Sequence, residues 1–440
     1  MINRMIKKDL IKILLLVTLL GLSISPLVPY PIFVLVFLSL LLVSFRDIRI
    51  LFLLLGASNF LPNIFFFSPM VLIVFVLIII LIIKKTFLDL TNINFIILFI
   101  LFVWILISSL SQNLDFSFLT VFVNGLITAY IVFLSIRNMY IKKSDAILFF
   151  ISGMMINILI GYFSILNIFG FFSYNSLRLT FSRGDSNSIG LTFAFVTSYL
   201  AVSLLTKFKH RIPHHLIINI FLLLGSIHLL LLTGSRGSLF SVVLTFIIGL
   251  IILIIAPKKK QLYKKNEMKF NKIIMLISIP LLFILLLVDF GEVQVFLNDM
   301  YSFTFSRFDS NISDEIRVTL YKNALLTVYQ NPIFGIGNLA YRNISGGTLI
   351  HNSYLEYLVN AGIFGLLLYL FAIGLVFLSI TKTIIRGEIG LLPFFSGYIA
   401  VLFNQFTYSA VGDKTLWIPL AILITYSVKE SNFQSTYRKK

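Results

Sequence analysis

Apolar stretches long enough to cross a bilayer recur from Leu10 almost to the end of the chain. A membrane span needs roughly 17–25 predominantly apolar residues. Of the 440 residues, 59% are hydrophobic and 12% charged, at a mean hydropathy of +1.01. That leaves too little polar surface to cover a water-soluble body of this size. In lipid every backbone N–H and C=O needs an internal partner, so only helices or a closed barrel can span. Barrel strands read as short alternating segments, and these runs do not alternate. The expected fold is an all-α polytopic membrane protein.

Spans are expected at about 10–26, 30–45, 50–63, 69–83, 93–110, 118–136, 146–169, 188–206, 215–232, 237–256, 273–289, 353–380, 391–408 and 415–428. That makes about fourteen, or twelve if the short ones near 50–63 and 415–428 are tilted or re-entrant, with both termini cytoplasmic. Met1–Asp9 is basic and runs straight into the first apolar stretch with no small-residue cleavage site, so that stretch is read as a retained span. The basic residues support this topology. Loops assigned to the cytoplasm, with the two tails, hold 27 of the 35 Lys and Arg. The other side holds eight: Arg178, Arg183, Arg236, Arg307, Arg317, Lys322, Arg342 and Lys414. This is the positive-inside pattern. It accounts for the net charge of +18 without nucleic acid. Six of the eight outer cations are Arg, against seven of the 27 inner ones. Guanidinium forks grip phosphate or carboxylate in two places, so the outer face is suited to an anion.

The chain divides into N-terminal spans over 1–150, a region at 151–430 holding the longer outer loops 170–188 and 290–350, and a tail at 431–440. Long loops between spans are commonly functional. The larger one is expected to contain short helices. Asn311-Ile312-Ser313 offers cap residues, Asp314 and Glu315 suit a first turn, and Asn331-Pro332 ends it. Ile316, Leu320, Ala324 and Val328 recur between them at helical spacing.

Four constellations carry candidate chemistry, all on the outer side. Arg178, Arg183 and Asn187 precede a span whose N-terminus would favour an anion, or they form a solvated loop. Thr233-Gly234-Ser235-Arg236-Gly237-Ser238 is a tight turn. A charge at bilayer depth costs ~2.5–3.5 kcal/mol on insertion scales, so Arg236 either snorkels outward or faces a cavity. Arg317 lies one turn before Tyr321 on the expected loop helix, where a cation is commonly just solvated. His351-Asn352-Ser353-Tyr354-Leu355-Glu356 stands where the large loop re-enters the membrane. Imidazole can take up a proton near neutral pH, although a lone interfacial His can be purely structural. The chain has no cysteine, no phosphate-binding Walker loop and no H-E-x-x-H pair. No metal or cofactor is expected, and the outer acids, Asp413 among them, give no reason to pair.

The block His351-Asn352-x-Tyr354-Leu355, followed by Gly362-Ile363-x-Gly365-Leu366, resembles the signature of the O-antigen ligase and O-antigen polymerase superfamily. Leu232 to Gly237 resembles its S-R-G turn. Arg317-x3-Tyr321-x2-Ala324 and Pro332-x2-Gly335-x-Gly337 resemble its loop segment, with Tyr321 where Trp is common, and Arg183-x3-Asn187 resembles the upstream loop motif. The likeness covers about 170–420; the first 150 residues match in hydropathy alone. It implies a metal-independent, inverting glycosyltransferase of the bacterial inner membrane with its site on the extracytoplasmic face. The implied donor and acceptor are glycans on undecaprenyl diphosphate. His351 would activate an acceptor hydroxyl. Arg236 and Arg317 would hold the diphosphate with Arg183 or Arg178 assisting, beside Asn187, Asn352 and Tyr321. A Wzy-type polymerase building O-antigen or capsule is the leading expectation, with a chain-length regulator as a further partner. An O-antigen ligase, which transfers the glycan to lipid A core, shares the motifs. A flippase is the rival of another class, but it should carry charges deep in its helices.

Overall fold

The computed structural model describes residues 30–58, 61, 64, 68–84, 92–112, 117–138, 141–165, 174–175, 178–179, 186–206, 213–255, 311–337, 341, 345 and 350–427. The helices are α1 (Tyr30–Ser44), α2 (Arg49–Ala57), α3 (Pro69–Ile83), α4 (Ile93–Gln112), α5 (Ser117–Asn138), α6 (Lys143–Ile165), α7 (Ser186–Thr206), α8 (Pro213–Leu232), α9 (Arg236–Ile255), α10 (Asn311–Gln330), α11 (Ser353–Ile385), α12 (Leu392–Asn404) and α13 (Lys414–Ser427). Expected spans 10–26 and 273–289 lie outside the described residues, as do Arg307, Arg342 and the tail at 431–440; the other expected spans are helical. By length and composition, five described helices can cross a membrane: α4, α6, α7, α9 and α11.

Helix α9 turns an apolar face outward, as a helix solvated by lipid would. Phe240, Val243, Ile247, Ile251 and Ile254 recur at helical spacing and are exposed, Ile254 at 82%. The buried side instead presents Ser238, Ser241, Thr245 and Gly249. A water-soluble helix buries its apolar stripe. Here small and weakly polar residues face the protein, as expected where helices must pack closely within hydrocarbon.

Three expectations need correction. The span near 50–63 ends at Ala57, and Ile50–Ala57 are all buried. Among the described residues, the large outer loop holds α10, a helix of twenty residues whose bounds meet the cap residues read from sequence. Within the otherwise helical fold, the 170–188 loop carries a two-residue antiparallel ladder, Tyr174–Asn175 (β1) on Arg178–Leu179 (β2). Finally, α11 is two helices joined at Gly362, whose φ of 68° and ψ of −174° are not helical.

Helix α2 crosses α6 backbone to backbone. A Cβ on Gly56 would lie 2.1 Å from the Phe150 carbonyl oxygen, and one on Gly153 1.9 Å from that of Leu53. Asn157 seals the crossing by donating to the Gly56 carbonyl at 3.1 Å. Gly153→Ala should therefore cost about 3 kcal/mol or more, the upper end of overpacking penalties. Thermal denaturation of the detergent-solubilised protein would read this as a marked fall in midpoint.

Side-chain contacts sort the helix ends into two rims. At one, Arg49 bridges to Asp47 at 2.9 Å and to Asp145 at 3.9 Å, and Lys143 lies over the Tyr426 ring at 5.3 Å. At the other, Lys414 Nζ donates to the Ser58 carbonyl at 2.6 Å, and the starts of α7, α9, α11 and α13 meet. Helices α12 and α13 have 13 and 14 residues, a rise of about 20 Å against a hydrocarbon core of about 30 Å. The connection between them, 405–413, lies at the rim where α9 and α11 begin.

Candidate active site

The turn before α9 is built by capping. Gly234, at φ 59°, ends α8 by donating its N–H to the Leu231 carbonyl at 2.9 Å, as left-handed glycines commonly do. Thr233 Oγ1 then accepts the Ser235 N–H at 3.2 Å. Ser235 and Ser238 share a hydrogen bond of 2.8 Å, and Asn404 Nδ2 donates to Ser238 Oγ at 2.6 Å. A Cβ on Gly237 would fall 1.8 Å from Thr407 Oγ1, so the turn is pressed against the Thr407 side chain. Arg236 is the first residue of α9 and is half-buried. The helix N-terminus already carries partial positive charge. A guanidinium placed there is unfavourable by itself and becomes favourable when an anion sits between the two.

His351 adopts φ 55°. This left-handed region is sparsely populated by non-glycine residues, and such strain persists only where surroundings impose it. The surroundings are specific. Asn352 caps α11 by accepting the Leu355 N–H at 3.0 Å. The Ser353 N–H donates to the Gln405 carbonyl at 2.8 Å, and Ser353 Oγ donates to the Tyr408 carbonyl at 2.9 Å while accepting the Ala410 N–H at 2.7 Å. Tyr354 donates to the Leu402 carbonyl at 2.8 Å. Tyr369 donates to Gln405 Oε1 at 2.7 Å, and its ring stacks on Tyr357 at 4.0 Å. The histidine block and the Ser-Arg-Gly turn are thus fastened to the same short segment, Leu402–Ala410.

Arg317 arrives by packing. On α10, Leu320, Tyr321, Ala324 and Val328 cover Ile336, Tyr341, Ile350, Leu355 and Val359. Arg317 is half-exposed one turn before Leu320, and its helix lies against the residue next to His351. Tyr321 is half-buried in that cluster, so its ring serves packing. Tyr341 donates to the Leu320 carbonyl at 2.5 Å, and burial pushes its phenol up, keeping it a donor.

The remaining expected residues are placed less fully. Arg178 pairs with Asn175 in the ladder; its side chain, and Arg183 entirely, lie outside the described residues. Asn187 is half-exposed in the first turn of α7, next to Ser188, which donates to Asp413 Oδ2 at 3.0 Å. Asp413, unpaired in the sequence reading, also accepts the Thr415 N–H at 2.8 Å and so caps α13. The segment Asn404–Asp413 is the hub that sequence reasoning missed. Its only signal was a polar run, Asn404-Gln405-x-Thr407-Tyr408-Ser409, between two apolar ones.

The last feature is the joint at Gly362. The break frees carbonyls that a helix would satisfy. The Ile336 N–H donates to the Val359 carbonyl at 2.9 Å, and the Gly337 N–H to that of Asn360 at 3.2 Å. In return the Ile363 N–H donates to the Pro332 carbonyl at 2.8 Å. Gly335 and Gly337, at φ 70° and 74°, shape the Pro332–Gly337 turn that makes this fit. The turn following the Arg317 helix is thereby stitched to the half-helix that begins beside His351.

No curated protein matches the chain. Residues 220–370 match the family model described as O-Antigen ligase, a stretch that holds the Ser-Arg-Gly turn, the Arg317 helix, the stitched turn and His351, and the match supports the likeness to the O-antigen ligase and polymerase superfamily.

Proposed function

We propose that the protein is a membrane-embedded glycosyltransferase that polymerises undecaprenyl-diphosphate-linked repeat units into O-antigen or capsular polysaccharide. The observation that carries this reading is the common anchorage of His351 and the Arg236 turn on Leu402–Ala410, with the Arg317 helix packed alongside. In the reaction, His351 takes the proton of an acceptor sugar hydroxyl, and that oxygen attacks the anomeric carbon of the donor glycan. The bond from carbon to diphosphate oxygen breaks on the opposite side, which inverts the configuration. The departing diphosphate stays on its polyprenol. Its growing charge is met by Arg236 and Arg317, with Arg178 or Arg183 assisting, and fixed cations of this kind stabilise a leaving group strongly. Cleavage of the sugar–diphosphate bond supplies the driving force. The site would open to the extracytoplasmic face of a bacterial inner membrane.

A ligase that delivers the glycan to lipid A core is the second reading, favoured by the description of the matching family. Purified protein given lipid-linked repeat units alone decides between them. A polymerase makes a ladder of products; a ligase makes none until lipid A core is added. In the same assay Arg236→Lys should lose about tenfold or more of the activity, because a two-pronged contact becomes a point charge. Full activity in that variant would remove the forked contact from the account.

A further inference from the structure

Helix α4 lies outside the region of family likeness, yet it closes the joint at Gly362. The Trp104 indole N–H donates to the Ala361 carbonyl at 2.8 Å. Ser108 Oγ donates to the Asn360 carbonyl at 2.8 Å and also meets the Phe334 carbonyl of the turn. The Trp104 ring stacks on Phe334 at 4.9 Å and 13°, and lies 4.5 Å from the Phe364 ring. One side chain therefore touches the turn, the first half of α11 and the second half. A carbonyl without a donor is costly at membrane depth, and Trp104 and Ser108 supply donors to Ala361 and Asn360 beside the break.

We propose that Trp104 and Ser108 are positioning residues for the transfer reaction: they lock the half-helix Ser353–Ala361, and with it His351, against the turn that carries the Arg317 helix. The proposal rests on the reading of His351 and Arg317 as site residues. Misplacing reacting groups by about 1 Å can cost ~10²-fold in rate, so a clasp remote from substrate can govern turnover. It also gives the N-terminal helices a part in the chemistry beyond anchorage.

The test pairs kinetics with a distance. Ser108→Ala and Trp104→Phe should each lower kcat by about tenfold while KM for the lipid-linked donor stays within about twofold. Ser108→Thr, which keeps the hydroxyl, should restore kcat. The chain has no cysteine, so spin labels can be placed at Tyr329→Cys and Phe371→Cys, both exposed in the structure. The label–label distance should be narrow in the parent and broadened by Ser108→Ala and Trp104→Phe at equal protein amount. Wild-type kcat in both variants, a narrow distance retained in both, or Ser108→Thr as impaired as Ser108→Ala overturns the clasp. A parent protein with no transferase activity overturns the proposed function instead, and the label distances then decide the clasp alone.

Discussion

Replacing His351 should stop product formation while leaving the protein in the membrane at normal amount. General-base assistance contributes about 10²–10⁴-fold to a proton-transfer step, and among the described side chains no other imidazole lies at this segment. His228, the other histidine whose side chain is described, hydrogen-bonds Tyr162 at 3.0 Å, away from this segment. The choice of replacement matters because residue 351 sits at φ 55°. Alanine is strained there, whereas asparagine tolerates the left-handed region through local hydrogen bonds. His351→Ala and His351→Asn should therefore both lose at least ~10²-fold in transfer rate. His351→Asn should stay close to the parent in thermal midpoint, because hydrogen bonds made by Asn352, Ser353 and Tyr354 hold the adjoining backbone. Parent-level polymer from His351→Asn would take the base away from this residue.

The parts of this site differ in how far sequence exposes them, for physical reasons. Spans are legible because lipid demands long apolar runs, and the sidedness of Arg46–Arg49 and Lys142–Lys143 follows a charge rule. Their contacts put Arg49, Asp145 and Lys143 at the rim opposite the Ser-Arg-Gly turn. Helix α10 is legible because its caps are local. The break in α11 is not. Ala361-Gly362-Ile363 lies inside an apolar run, and a helix usually tolerates one glycine there at a cost of about 1 kcal/mol. What breaks it is a set of donors far along the chain: Trp104, Ser108, Ile336 and Gly337. The hub Asn404–Asp413 was hidden for the same reason. Beside the side chains of Asn404, Gln405 and Asp413 it acts through the backbone carbonyls of Leu402, Gln405 and Tyr408 and the Ala410 N–H, groups which every sequence possesses and none advertises.

Gly362→Ala should be the most damaging single-methyl change in the protein. Two independent penalties fall on one atom. The added Cβ would lie 2.0 Å from the Ile333 carbonyl oxygen and 2.9 Å from the Gly335 nitrogen, both backbone and unable to swing aside. At φ 68° and ψ −174° the residue also occupies a region essentially restricted to glycine. Relieving the clash means separating the Pro332–Gly337 turn from α11. That breaks the Ile363-to-Pro332 bond and then those from Ile336 and Gly337, leaving carbonyls without donors in a dry setting. The alternative is to straighten α11, which drags Ser353 from Gln405 and Tyr408 and releases His351 from its conformation. Either route removes activity by at least ~10²-fold; the first also lowers the amount of folded protein. Gly374 is the control, since a Cβ there meets nothing within 4 Å and alanine is the better helix former. Gly374→Ala should keep parent activity and stability. Transfer activity and thermal midpoint measured side by side on the two variants check the argument. Equal behaviour of Gly362→Ala and Gly374→Ala would mean that the break does not set the position of the histidine.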